Sequence, residues 1–231
     1  IKAVNEKNHG TSVFYGDELW DTNKNTFTNG SGELRTGSEI ASGALVHHNW
    51  YEITARDGID FTTYGAPNNT VGTVFCMNHD DGSSVPTMDS NDKVWLIDLK
   101  WKPYNDNDLY LDSNAMKVVG DDSTNGAYIY LSNAKDMSSD LVIGRTYTLS
   151  CDAKVGSGDS VSVTLYDGAS AHTVGAVTST SMASIDHTFT AYSTTGCYVR
   201  TEGMGSGEEI WLDNFSLKEV GFATGWTDAD A

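Results

Sequence analysis

The chain has 231 residues and a formal net charge of −18, because 14 Lys and Arg stand against 32 Asp and Glu. Proteins that coat DNA or RNA, or that dock on anionic lipid, need clustered basic side chains. This charge therefore argues against both kinds of partner. The longest apolar runs, such as Val94–Ile97, fall far short of the roughly 20 residues of a membrane helix, so we expect no membrane insertion.

The residue pattern predicts an all-β fold. Hydrophobic residues make up 39% of the chain, which is enough for a buried core. Apolar and polar residues alternate with a period of two between turn clusters, and no sustained stripe follows the helical spacing i, i+3, i+4, i+7.

Residues 1–36 are predicted to be an N-terminal arm or connector. Their one strand candidate, Thr11–Tyr15, is expected to add a strand to a neighbouring sheet. The chain begins without an initiator Met, and its first eight residues contain no apolar signal core. We expect a mature product or a piece of a longer chain.

Residues 37–98 are predicted to be a small β module without a large core of its own. Its strand candidates are Trp50–Thr54 and Val71–Cys76. Between them, Gly65–Asn69 has the Gly, Pro and Asn of a turn.

Residues 99–220 are predicted to form a β-sandwich, and residues 221–231 a C-terminal linker. Short alternating segments separated by Gly- and Asp-rich turns specify two packed antiparallel sheets. The predicted strands are Gly126–Leu131, Tyr147–Lys154, Val161–Tyr166, His187–Thr190, Cys197–Arg200 and Ile210–Leu217.

The three cysteines, Cys76, Cys151 and Cys197, are too widely spaced for a disulfide framework or a zinc site. We interpret them as free thiols, with a Cys151–Cys197 bridge as the alternative.

Two segments of the predicted sandwich resemble carbohydrate-binding, galactose-binding-like jelly-roll modules of the kind found beside xylanases and cellulases. Gly144–Lys154 is similar to the strand pattern G-x-x-Y-x-L-S-x-x-A-K, and Ile210–Val220 resembles the terminal strand I-x-I-D-D-V-S-L. The resemblance implies a jelly roll that binds carbohydrate. Asn214 stands where a second Asp is usual.

The module resembles a repeat-like unit of tailed-bacteriophage fibre and other virion proteins. Trp50–Thr54, Asp60–Asn69 and Val71–Phe75 carry the pattern Y-x-I-T…D-F-T-x-x-G-A-x-x-N-x-x-G-x-x-F. Tyr15–Leu19 and Gly221–Asp228 are also similar to segments of phage tail proteins. This resemblance implies a place in a virion.

Aromatic and polar side chains on the wet faces of the strands are the candidate glycan-binding residues, because rings stack on sugar C–H faces and polar groups address hydroxyls. The candidates on these faces are Tyr128, Tyr130, Tyr166, Tyr198 and Arg200. Two more candidates, Trp101 and Tyr104, lie just before the acidic loop 105–108. The alternative is that the tyrosines serve β-propensity or subunit contacts.

Asp213 is the most informative carboxylate. Strand periodicity places it on the face of Trp211, Phe215 and Leu217, where an unpaired charge would be costly. It is therefore either a hydrogen-bonded structural Asp or a ligand of structural Ca²⁺, which the resembled modules often hold near this strand. No other cofactor is indicated.

Catalytic patterns are weak, so we predict that the protein is not an enzyme. His47–His48 lack a third ligand at metal spacing, and Glu208–Glu209 would point to opposite faces of a strand rather than converge on one bond. The acidic stretches Asp80–Gly82, Asp106–Asp112 and Asp121–Asp122 are interpreted as solvated loops.

The sequence thus predicts a non-enzymatic structural protein of a phage fibre, tail or virion surface. In this hypothesis it forms homo-oligomers with other virion subunits as partners, and the jelly roll provides either subunit contacts or attachment to a host-surface glycan. The alternative is a carbohydrate-binding module of a secreted bacterial glycoside hydrolase.

Overall fold

The computed structural model describes residues 13–20, 35–78, 85–121, 124–137 and 139–222. Most of the predicted arm and C-terminal linker, and the acidic stretch Asp80–Gly82, lie outside the described residues. None of the helices found among these ranges is both long and apolar enough to cross a membrane.

Apart from one 3-10 helix at Phe61–Tyr64, the regular elements of the described ranges are strands. They are β1 (Val13–Glu18), β2 (Arg35–Ile40), β3 (Gly43–Ala44), β4 (Trp50–Ala55), β5 (Val74–Cys76), β6 (Thr87–Met88), β7 (Lys93–Ile97), β8 (Lys102–Pro103), β9 (Asp108–Asp112), β10 (Ala115–Val119), β11 (Asn125–Tyr130), β12 (Thr146–Val155), β13 (Val161–Tyr166), β14 (Ala171–Val177), β15 (Ala183–Thr190), β16 (Tyr198–Glu202) and β17 (Glu209–Phe222).

Two antiparallel sheets pack face to face as a sandwich. The larger runs in the order β15-β12-β17-β10-β9-β5-β4-β7-β2, with β1 added beside β17. The smaller has the order β14-β13-β16-β11-β8, and β3 pairs with β6 in a separate ribbon. The prediction of an all-β jelly-roll sandwich is confirmed.

The core forms because each central strand buries every second side chain. In β12, Tyr147, Leu149, Cys151, Ala153 and Val155 are buried and the residues between them are partly exposed. All six strands predicted within residues 99–220 are present, with ends shifted by a few residues.

The predicted module does not stand apart from the sandwich, because β5 pairs with β9 and so continues the large sheet. Trp50 and Val74 face the sandwich core, whereas Tyr51 and Phe75 face a second apolar cluster that includes Phe61. The boundary at residue 98 remains a prediction, and the sheet runs across it. β5 begins at Val74 rather than Val71 because Gly72 turns the chain with φ of 92°.

The N-terminal segment contributes a strand and a core residue. β1 pairs with β17 of the same chain, Val13 lying opposite Phe222. The Glu18 carboxylate accepts hydrogen bonds from the backbone N–H groups of Trp20 (3.0 Å) and Leu217 (2.7 Å). This places Trp20, only 2% exposed, against Phe215 at a ring-centroid distance of 4.7 Å.

The three cysteines are free and buried, which confirms the interpretation as free thiols and leaves no Cys151–Cys197 bridge. Burial raises the pKa of the Cys151 thiol to about 12, and the Cys197 thiol donates to the Asp167 carbonyl at 3.0 Å.

Replacing Trp20 with Ala tests whether this residue belongs to the core. We expect the free energy of unfolding to fall by about 3–5 kcal/mol, as for other buried Trp-to-Ala changes, because a cavity opens beside Phe215. Chemical denaturation monitored by circular dichroism measures the change. The control is Tyr192→Ala, since Tyr192 is 60% exposed; equal losses in the two variants would contradict the packing described.

Candidate functional site

Four of the predicted glycan-binding tyrosines lie on the outer face of the five-stranded sheet. Tyr128 and Tyr130 alternate with the buried Ala127 and Ile129 along β11. Tyr130 lies opposite Tyr198 on β16, and Tyr198 lies opposite Tyr166 on β13. Since directly opposed residues share a face, the register brings all four rings to one surface.

The rings form a continuous row, which we call the tyrosine row (Tyr104, Tyr128, Tyr130, Tyr198 and Tyr166). Successive ring centroids are 5.5, 5.7, 5.8 and 5.1 Å apart. The first three contacts are edge-to-face, and Tyr166 stacks on Tyr198 at an interplanar angle of 26°. Both arrangements are favourable for aromatic pairs.

A cleft of about 280 Å³ opens over this row. It is lined by His48, Pro103, Tyr104, Asn105, Tyr128, Tyr130 and Tyr198. Four rings together with an imidazole and an amide give the cleft apolar faces and hydrogen-bonding groups at once.

Asn107 holds the loop that presents Tyr104 to the cleft. Its buried side-chain amide donates to the carbonyl oxygens of Tyr104 and of Asn125, the latter at 2.9 Å. Its Oδ1 accepts from the Asp121 N–H at 3.1 Å, and the Tyr104 N–H donates to the Gly126 carbonyl at 2.8 Å. Sequence analysis placed Asn107 in a solvated acidic loop and so missed its role. Nothing in the sequence indicated that this polar residue, among acidic neighbours, is buried.

His48 is the second residue that sequence analysis missed. It sits before β4 with φ of 62°, and its N–H donates to the Met77 carbonyl at 2.7 Å. These features turn the chain so that His48 lines the cleft. A search for metal spacing could not find it, because its neighbours in the cleft are tyrosines more than 50 positions away in sequence.

Trp101 is not a binding residue, and its prediction was wrong. The side chain is 0% exposed and contacts Phe215 at a ring-centroid distance of 5.1 Å. Its carbonyl accepts a 2.6 Å hydrogen bond from the Trp50 indole. Trp101 alternates with the half-buried Lys102 ahead of the buried Pro103, and this alternation turns it into the core.

Arg200 lies on the tyrosine surface as predicted, on β16 opposite Tyr128 and Thr164. It forms an ion pair with Glu202, and its guanidinium carbon is 5.6 Å from the centre of the Tyr198 ring. Its principal contacts are thus an intrachain carboxylate and an aromatic ring.

Burial raises the pKa of the Tyr128 phenol, and neighbouring acidic groups raise it further. Burial also raises the pKa of Tyr198, against the lowering effect of Arg200. Both phenols therefore stay protonated, as hydrogen-bond donors, to a higher pH than an exposed tyrosine.

Asp213 shares a face with Trp211, as predicted, but not with Phe215 and Leu217, so that part of the prediction was wrong. A bulge at Asn214, with φ of 51°, shifts the register between β17 and β12. Leu212 before the bulge and Phe215 after it both face the core, so Asp213 points outward, on the opposite face from Phe215. A strict period of two cannot anticipate the extra residue of a bulge.

The surroundings of Asp213 are acidic. It lies opposite Asp152 on β12, and the Asn214 amide donates to Asp152 at 2.8 Å. Burial raises the pKa of Asp213, the Asp152 charge raises it further, and the Asn214 N–H lowers it. The described residues contain no group of three His, Cys, Asp or Glu that could hold a metal ion. The calcium hypothesis, which could draw on backbone oxygens, stays a prediction.

The variant Asp213→Asn tests the role of this carboxylate. Because its pKa is raised on folding, its contribution to stability is present below the unfolded value near 4 and is lost as the pH rises. In metal-free buffer at pH 7 we expect the variant to be slightly more stable, by less than about 1 kcal/mol at this half-exposed site. Thermal melts with and without millimolar calcium measure it. A calcium-dependent rise in wild-type Tm that the variant lacks would instead establish the calcium site.

The variant Tyr128→Phe tests the raised phenol pKa. A pKa raised on folding adds stability below the unfolded value of about 10 that is lost as the pH rises through the folded value. We expect the loss of stability between pH 9.5 and 11.5 to be shallower in the variant. Denaturation midpoints across this range measure it, with Tyr192→Phe as the control. Identical slopes for Tyr128→Phe and the wild type would contradict the assignment.

No protein-family model matches the sequence, and no curated protein matches it. Among similar solved structures is the CBM22-1 xylan-binding domain of Paenibacillus barcinonensis Xyn10C (12% identity, 52% of this chain, 85% of that chain, TM-score 0.40). Another is the C-terminal family 22 carbohydrate-binding module of Clostridium thermocellum Xyn10B (18% identity, 55% of this chain, 89% of that chain, TM-score 0.41). A third is the N-terminal cellulose-binding domain of Cellulomonas fimi β-1,4-glucanase C (21% identity, 52% of this chain, 88% of that chain, TM-score 0.36).

These values are too low to assign a family or a ligand. No finding of these comparisons shows a phage origin, and the resemblance to bacteriophage proteins stays a prediction.

Proposed function

We propose that the protein is a carbohydrate-binding module that binds a polysaccharide chain in the cleft over the tyrosine row. The observation that supports this most directly is the row itself: five tyrosine rings in contact, four on one sheet face and one on the adjoining loop, with a cleft lined by four of the five. Tyrosines placed singly for β-propensity would not need to touch one another in sequence across three strands and a loop.

The chemistry of the cleft suits a sugar. Pyranose rings carry apolar C–H faces and polar edges, and the cleft pairs aromatic faces with phenol, imidazole and amide groups. Tyr128 and Tyr198 remain protonated over the neutral pH range, so their phenols donate to sugar hydroxyls. The Asn105 amide can both donate and accept.

The arrangement favours an extended chain over a single sugar. The row runs from the loop after β8 across β11 and β16 to β13, so several rings are presented one after another along the sheet. A monosaccharide would use one or two of them. The proposed role is binding, with any chemistry supplied by another domain or protein.

The virion hypothesis has no observation behind it beyond the sequence resemblance. Virion-subunit contacts, oligomer formation and a virion-surface location therefore stay sequence-based predictions. The alternative from the sequence, a carbohydrate-binding module of a secreted bacterial hydrolase, is the one that the cleft favours. An extracellular location belongs to this proposal, because the structural polysaccharides of cell walls lie outside cells.

The variants Tyr128→Ala and Tyr198→Ala test the proposal. Each removes one ring from the row, and we expect the affinity for a bound polysaccharide to fall by a factor of about 10 to 30, in the range of a truncated aromatic anchor. Affinity electrophoresis against soluble plant, algal and bacterial polysaccharides finds the ligand. Isothermal titration calorimetry then gives the affinities.

The control for these variants is Tyr192→Ala, which removes an exposed tyrosine outside the row. It should bind as the wild type does. Failure of the wild type to bind any polysaccharide, or unchanged affinity in both cleft variants, would refute the proposed function.

A further inference from the structure

We infer that the polysaccharide bound in the cleft is acidic and that Lys135 contacts a uronate carboxylate. This inference rests on the proposed function and names the chemical class of the ligand. It follows from the position of one lysine on the tyrosine row and from the way in which the neighbouring cations are neutralised.

The Lys135 ammonium lies 3.2 Å from the centre of the Tyr130 ring. The residue is exposed, and no carboxylate within the described part of the chain forms an ion pair with it. A cation on an aromatic face keeps its charge and leaves its outer side open to an anion. Lys135 is therefore a positive charge with no ion-pair partner among the described residues, over the middle ring of the row and beside the cleft rather than among the residues that line it.

Two further cations of this surface, among the residues that the structure describes, are already paired. Lys102 contacts the buried Asp136 carboxylate at 3.2 Å, and Arg200 contacts Glu202. Each such pair is close to neutral toward a ligand. In a chain with a net charge of −18, an unpaired lysine on the candidate binding surface is a specific feature rather than a consequence of general basicity.

The turn that carries Lys135 is fixed by hydrogen bonds. The N–H groups of Lys135, Asp136 and Met137 all donate to the Ser132 carbonyl, at 3.2, 3.0 and 2.9 Å. The Asp136 carboxylate also accepts from the Tyr130 N–H at 2.9 Å. This holds the turn against β11, so little ordering of the backbone is needed when a ligand binds.

Lys135 also changes what Tyr130 can bind. The ammonium covers one face of this ring, so a neutral sugar that stacked there would have to displace it. A sugar with a carboxylate gains a charge-assisted contact from the same ammonium without displacing it. The arrangement therefore discriminates between acidic and neutral chains.

Matched polysaccharide pairs test the inference. Alginate, pectate and glucuronoxylan are each compared with the same polymer after chemical reduction of its carboxyl groups to alcohols. The measurements are made at 150 mM NaCl, where distant charges of the protein are screened. We expect at least one acidic polymer to bind about tenfold more tightly than its reduced form, which corresponds to one charge-assisted contact.

The variant Lys135→Gln should bring the acidic and reduced forms to within about twofold of each other, because it weakens binding of the acidic form and removes the ammonium that a neutral sugar would have to displace from Tyr130. The matched control is Lys154→Gln. Lys154 also lies over an aromatic ring, 4.5 Å from the centre of Trp211, but on the large sheet. It changes the net charge equally and should preserve the tenfold preference.

The outcomes separate the two proposals. Equal binding of acidic and reduced forms by the wild type, or a preference that survives Lys135→Gln, would overturn the uronate inference and leave carbohydrate binding intact. Absence of binding to every polymer, in either form and across the wider panel, would overturn both.

Discussion

The dry space between the two sheets is the constraint on which the rest of the structure depends. Ala127 and Ile129 must face inward, because burying their apolar surface drives folding. Because side chains alternate along a strand, Tyr128 and Tyr130 then lie on the outer face. Cross-strand register places Tyr198 on the same outer face. The proposed binding surface is thus a consequence of core packing, and the spacing of its tyrosines is set by the strands.

The sequence predicted those features that depend on neighbours along the chain. Alternation identified the strands of the sandwich, and it put Tyr128, Tyr130, Tyr166 and Tyr198 on the wet side. It failed wherever one residue breaks the period, as the bulge at Asn214 does for Asp213. It failed also where the decisive partner is distant: no local pattern shows that Trp20 and Trp101 meet at Phe215, or that His48 reaches the cleft.

The electrostatics of the cleft differ from those of the chain as a whole. An acidic protein repels a polyanion at long range, but this repulsion decays within a Debye length of about 8 Å at physiological salt. At contact distance, the attraction for an acidic ligand depends on which cations of the surface are already paired with carboxylates. Asp136 is central here, because it neutralises Lys102 and also fixes the turn of Lys135. The buried Asp136 carboxylate therefore neutralises the charge of Lys102 and also fixes the position of the unpaired Lys135.

The continuous sheet has a consequence for how the protein can be divided. Because β5 pairs with β9, and Trp50 and Cys76 pack in the same core as Ile129, a cut after residue 98 would strip apolar surface from the sandwich. The same cut would remove His48, one of the seven residues that line the cleft. The smallest transferable unit for the proposed binding therefore begins ahead of His48, because residues 99–220 alone would lack this residue and would expose the apolar side chains that Trp50 and Cys76 cover.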